Sequence, residues 1–136
     1  MVKGEKIRFD IHNILFSIYS NNKTLKDPTI QKIINKNKKK DIAFLNTVTK
    51  NSMRFYFHTC IIINKFIKKK IRDHEKILLV SAITQIVFLD FREYAVINCS
   101  VEIAKKLKLY PGFINAILKK IAKNKNSLIN IEITFN

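Results

Sequence analysis

Apolar residues recur at helical spacing along most of this chain. Ile7, Ile11, Ile14, Leu15 and Ile18 stand at i, i+4, i+7, i+8 and i+11, which predicts an amphipathic helix over residues 6–20, closed by Asn21 and Asn22. Asp27 followed by Pro28 has the chemistry of an N-cap and a first helical residue. It opens a short helix carrying Ile30, Ile33 and Ile34 that runs out at Lys36–Lys40. Asp41 is the expected cap of the next segment, whose face is Ala43, Phe44, Leu45 and Val48. Residues 55–71 are apolar and β-branched, and within them Cys60–Ile63 is compatible with a buried strand as well as a helix, because a short apolar run does not separate the two. Asp73 is the expected N-cap of a helix beginning near Glu75.

Three apolar-rich segments fill Lys76–Ala122. Asp90 and Glu93 form a D-x-x-E capping box that predicts a helix opening near Phe91, and Tyr110-Pro111-Gly112 stops it. Phe113, Ile114, Ile117, Leu118 and Ile121 then give a last helix its apolar face, with Lys119, Lys120 and Lys123 off that face. The competing reading joins Ile86–Phe91 to Tyr94–Cys99 as a hairpin, with a turn that lacks the usual Asn-Gly or Asp-Gly chemistry. Beyond, Ile129, Ile131, Ile133 and Phe135 alternate with Asn130, Glu132 and Thr134. Residues 127–136 therefore read as an extended tail, or as a linker cut before a further domain, appended to a domain spanning 1–126. Two glycines and two prolines are too few to turn a multistranded all-β chain, so the expected class is all-α.

A chain of 136 residues with 47% hydrophobic content has room for one domain with its own core. The 26 basic residues against 10 acidic ones give a net charge of +16, which points to a polyanionic partner. The same richness in Ile, Lys and Asn, with arginine only at Arg8, Arg54, Arg72 and Arg92, would follow from an A/T-rich coding bias. Where the charge sits therefore matters more than its total. Cys60 and Cys99 are isolated, as expected of free thiols in a reducing compartment. The charged N-terminus has no signal-peptide core. Ile77–Leu89, interrupted by Ser81, Thr84 and Gln85, falls short of the roughly 18 apolar residues of a membrane span. A cytoplasmic protein with no membrane partner is expected.

Little in the chain suggests catalysis. His12, His58 and His74 are scattered, and His58 and Cys60 would point to different sides of a helix, so no metal site is expected. Gly4 and Gly112 are the only glycines, which leaves no phosphate loop. Asn98 and Asn115 lie inside apolar runs, and buried amides need partners, so both are expected to be structural residues joining helix ends. Lys3, Lys6 and Arg8 cluster at the entrance to the first helix, with Phe16 two turns on. Lysines neutralise phosphates, and an aromatic ring offers a stacking platform for an unstacked base. Phe16 reads equally as a core residue. Lys119, Lys120 and Lys123 form a second basic surface.

Four stretches carry a family resemblance: Gln85-Ile86-Val87-Phe88-Leu89-Asp90, Tyr94-Ala95-Val96-Ile97-Asn98, Val101-Glu102-Ile103-Ala104-Lys105, and Phe113-Ile114-Asn115-Ala116-Ile117-Leu118-Lys119-Lys120-Ile121. In order and spacing they resemble the NusB family, the helical RNA-binding module of antitermination factors and of the front part of RsmB/Sun ribosomal RNA cytosine methyltransferases. Arg8, Ile11, Leu15 and Phe16 fit the family's opening pattern, although Ile11 is bulkier than the expected alanine. Arg92 stands where a proline is common, Cys99 where glutamate is frequent at the surface, and Val80 in place of an arginine that would make a buried charge contact. The resemblance implies two small helical bundles packed across one another, and RNA binding through the basic start of the first helix and its neighbours.

Within the family, Asn115-Ala116 followed by Lys119-Lys120, together with Met53-Arg54, resembles the methyltransferase front domains. Antitermination factors instead close with asparagine-glycine, a hydrophobic pair and an aspartate. The implied function is an RNA-binding N-terminal domain that is itself no enzyme and holds no cofactor. Methyl transfer from S-adenosylmethionine would need a glycine-rich loop and an activated cysteine, and neither Cys60 nor Cys99 has such a setting. The alternative is a free-standing NusB-type antitermination factor that binds RNA and NusE. A third reading is an interaction module with no RNA role.

Overall fold

Helix α5 (Asp73–Ile83) is the axis of the molecule in the structure, a computed structural model that describes residues 2–131. Every residue from Ile77 to Val87 is buried, through α5 and on into a π-turn at Thr84–Phe88. A helix that is buried on every side has to be wrapped. The wrapping elements are α1 (Glu5–Ser20), α3 (Lys39–Arg54), α4 (Tyr56–Phe66), α6 (Glu93–Lys106) and α7 (Pro111–Lys123), each of which packs on α5. Helix α2 (Pro28–Asn35) closes against α1 and α3, and the single turn α8 (Lys125–Leu128) closes against the π-turn.

Two cores result. The smaller, among α1–α3, holds Ile11, Ile14, Leu15, Ile30, Leu45 and Val48, and α5 contributes Ile77 to it. The larger, among α4–α8, takes Leu78, Leu79, Val80, Ile83, Ile86 and Val87 from the central segment. Val80 is fully buried among apolar neighbours. The architecture is the expected all-α pair of bundles, with no strand among the described residues. Cys60–Ile63 lies within α4, and Tyr94–Cys99 lies within α6, which removes the hairpin alternative.

The helix starts follow the predicted caps only in part. Asp27 caps α2 as expected: its Oδ1 accepts from the Thr29 N–H at 2.9 Å, with Pro28 at the first helical position. Asp41 is instead inside the first turn of α3, which begins at Lys39, and there its charge still favours the positive end of the helix. Asp73 is the first residue of α5 rather than its cap, and the Arg72 N–H donates to Glu75 Oε1 at 3.0 Å. Asp90 does not cap α6 either. The π-turn carries helical bonding onward, with the Leu89 N–H donating to Thr84 O at 3.0 Å and the Phe91 N–H to Gln85 O at 2.9 Å. Asp90 is left in the link with φ 52°, paired to Lys125 at 3.0 Å, and α6 starts at Glu93.

Leu128 is buried, Ile129 is 48% exposed and Ile131 packs against the larger core. The expected tail therefore begins, among the described residues, with a helical turn; Ile133 and Phe135 lie outside them. No described helix is long and apolar enough to cross a membrane. Because Ile83 is fully buried in the segment shared by both bundles, Ile83→Ala should cost about 2–5 kcal/mol. Urea denaturation followed by circular dichroism should report this as an earlier but still single transition, since neither bundle keeps its core without α5.

Candidate functional site

The start of α1 is built by contacts that leave its lysines free. Glu5 is buried against α6, where Lys106 Nζ approaches its Oε2 to 2.6 Å, and the Val2 N–H donates to Oε1 at 3.2 Å. The hydrogen bond from Lys106 holds the Glu5 carboxyl below its usual range, against the opposing effect of burial. Gly4 precedes the helix with φ 82°, and a Cβ there would come within 2.5 Å of Arg8 Nη1. The left-handed backbone therefore calls for glycine, and a side chain there would also displace the end of Arg8.

Across from it, Asn37 ties the α2–α3 corner to α1. Its Nδ2 donates to Asp10 Oδ2 at 3.2 Å and to Ile33 O at 2.9 Å. The corner thereby sets Lys36 and Lys38 beside Lys3 and Lys6, around a cleft of about 470 Å³ floored by Val2, Gly4, Ile7 and Asn37. Asp41 is the one carboxylate in the lining. All four lysines are exposed, and among the described residues none is in an ion pair. The first turns of α1 and α3 both line the cleft, so their N-terminal partial charges add to those of the lysines.

Other candidates fall elsewhere. Arg8 is a strut: its Nε donates to Gln85 Oε1 at 2.7 Å, its Nη1 to Gly4 O at 3.5 Å, and its guanidinium lies 5.1 Å over the Phe44 ring. Gln85 is in turn held by donating to Ser81 O at 3.1 Å. The π-turn sets the direction of this amide, so Arg8 serves the seam between α1 and the central segment before it serves any ligand. Phe16 is not a free platform. It stacks on His74 at 3.8 Å and 4°, and it lies about 15 Å along α1 from Lys6. Cys99 is fully buried rather than at the surface, its thiol donating to Lys3 O at 3.4 Å, and burial pushes that thiol up. Both cysteines are free.

Asn98 and Asn115 are half-buried, and among the described residues neither side chain makes a hydrogen bond. They face a groove between α6 and α7 that is also lined by Lys119 and Lys123, while Lys120 is exposed outside it. The apolar contacts between α6 and α7 do the joining that these amides were expected to do. The histidines also depart from expectation, since His12 Nε2 and His74 Nδ1 meet at 2.9 Å. Burial, with His74 beside it, pushes His12 down to about 3, and burial lowers His74 as well. No cluster of three metal-ligating side chains occurs among the described residues. Lys36 and Lys38 are not singled out by the sequence: the run Lys36–Lys40 is visible there, but not which of its lysines turn toward α1.

Fold and cleft together define a class: a small all-helical domain with a lysine-edged opening at the start of its first helix. The chain belongs to the NusB family, whose match spans residues 6–123. It is similar in fold to a chain from the crystal structure of antitermination factors NusB and NusE in complex with dsRNA. That likeness has a TM-score of 0.77 at 16% identity, and covers 88% of this chain and 95% of the other. A comparison with curated protein sequences returns no match.

Two outcomes follow from the buried polar seams. Because the folded-state value of His12 lies below the unfolded one near 6.5, its stabilising contribution is complete above that pH and lost as pH falls toward about 3. The slope should reach at most about 1.4 kcal/mol per pH unit, and denaturation midpoints across that window should show it flattened in His12→Gln. Arg8→Ala should lower stability by about 1–3 kcal/mol through the stranded Gln85 amide, read as an earlier urea midpoint.

Proposed function

We propose that this chain binds RNA through the cleft between the start of α1 and the α2–α3 corner. The observation that carries the reading is the convergence of Lys3, Lys6, Lys36 and Lys38 from separate parts of the chain on one opening, without ion-pair partners among the described residues. Coding bias would raise the number of lysines but would not gather them. A phosphate backbone laid across the cleft would release counterions and meet the positive ends of two helices. Family membership supports the same reading, as does the RNA in the structure of the NusB–NusE neighbour.

In its finer form, the proposal is that the chain serves as the RNA-binding front domain of a ribosomal RNA cytosine methyltransferase, on the strength of Asn115-Ala116 followed by Lys119-Lys120. The second reading is a free-standing antitermination factor. Its support is the neighbour bound to NusE, of which the likeness covers 95% of the chain. Co-purification with NusE separates them: a stable complex favours the second reading, and none favours the first.

RNA binding itself should fall steeply with salt. Replacing Lys3, Lys6, Lys36 and Lys38 together with alanine should reduce the slope of log affinity against log salt by about 0.7–0.9 for each phosphate no longer neutralised, roughly 3 in all. Fluorescence anisotropy with labelled ribosomal RNA fragments at several salt concentrations measures this. A slope unchanged in the quadruple variant would place the RNA elsewhere.

A further inference from the structure

A second opening lies between α6 and α7. Tyr94, Ile97, Asn98 and Val101 follow one another at i, i+3, i+4 and i+7 along α6, and Asn115, Lys119 and Lys123 at i, i+4 and i+8 along α7. With Glu93 they line a groove of about 520 Å³. One wall is aromatic and apolar, and the other is cationic. Tyr94 is 76% exposed and no other ring stacks on it among the described residues. Between the walls lie the Asn98 and Asn115 amides, each without an intramolecular hydrogen bond among the described residues.

We infer that this groove is a binding site for an unpaired nucleotide of single-stranded RNA. A nucleotide has the same division as the groove: a flat, neutral base and a charged phosphate. The base would stack on Tyr94 above Ile97 and Val101. Its hydrogen-bonding edge would meet Asn98 and Asn115, since an amide offers both donors and an acceptor to such an edge. The flanking phosphates would lie along Lys119 and Lys123. An acidic protein segment fits less well, because Glu93 stands on the Tyr94 wall and would repel carboxylates from that half of the groove. A duplex fits less well too, since its bases are already stacked and paired. The site rests on the RNA-binding reading above and deepens it. The lysine cleft between the start of α1 and the α2–α3 corner would hold backbone, and the groove between α6 and α7 would hold an exposed base.

The test is fluorescence anisotropy with a labelled single-stranded oligoribonucleotide, at low salt for the affinity and over a series of salt concentrations for the slope. Tyr94→Ala should weaken binding roughly tenfold and Tyr94→Phe should restore most of it, because the ring and not its hydroxyl forms the platform. The Asn98→Ala, Asn115→Ala double variant should weaken binding without changing the salt slope, whereas the Lys119→Ala, Lys123→Ala pair should lower the slope by about 1.4, at about 0.7 for each single-strand phosphate. RNA substituted with bromouridine should photocrosslink to Tyr94, with single-stranded but not duplex RNA as an effective competitor. Tyr94 is largely exposed, so its variants keep the core, and circular dichroism verifies that. If the wild-type chain binds RNA and the Tyr94 and asparagine variants bind equally well, the groove inference falls and the lysine cleft stands. If the wild-type chain binds no RNA, both fall. Groove resonances that shift with polyglutamate but not with RNA would also overturn the inference.

Discussion

Residues Ile77 to Val87 are buried without a break, so the central helix has no side that water can solvate. A chain of this length can meet that demand only by surrounding the helix with the elements before and after it. Both cores are consequences. Ile77 belongs to the bundle formed by α1–α3, and the residues from Leu78 onward belong to the other. The two bundles therefore share a structural member rather than an interface, and the α1–α6 seam is brought together by the same wrapping.

The wrapping also decides what happens to the charge. Several polar groups drawn into the seams find partners across long sequence separations, Arg8 with Gln85, Glu5 with Lys106 and His12 Nε2 with His74, while His12 Nδ1 has none among the described residues. Glu5 and His12 are thereby taken off the surface. Lys3, Lys6, Lys36 and Lys38 remain outside with their charge uncompensated, around an opening created by the meeting of two helix starts. An opening of this kind needs no dedicated motif. It follows from which cations the core takes in and which it leaves out.

The wide turn at Thr84–Phe88 is a local irregularity with consequences at a distance. It aims Gln85 at Arg8, shifts the start of α6 past Asp90, and leaves Asp90 in a left-handed conformation beside Lys125. Single π-turns within helices often sit at places where a side chain has to be redirected. Here the redirected side chain fastens the first helix to the central one.

The helical class, the amphipathic first and last helices, the Asp27–Pro28 start and the shortage of turns were all legible in the sequence, because period, caps and punctuation act over one or two turns of chain. The family stretches were legible for a related reason: core positions on adjacent turns constrain one another locally. What the sequence could not supply was the pairing of distant side chains. Nothing near Arg8 indicates that Gln85 will hold it, nothing near Phe16 that His74 will cover it, and nothing near Asn98 that Asn115 will open onto the same groove. Whether Asp90 caps a helix depended on a π-turn whose bonding has no clear sequence signature. Which lysines of Lys36–Lys40 face α1 depended on the Asn37–Asp10 contact. These were decided by tertiary structure, since burial and hydrogen-bond partnership belong to pairs of residues that only packing brings within reach.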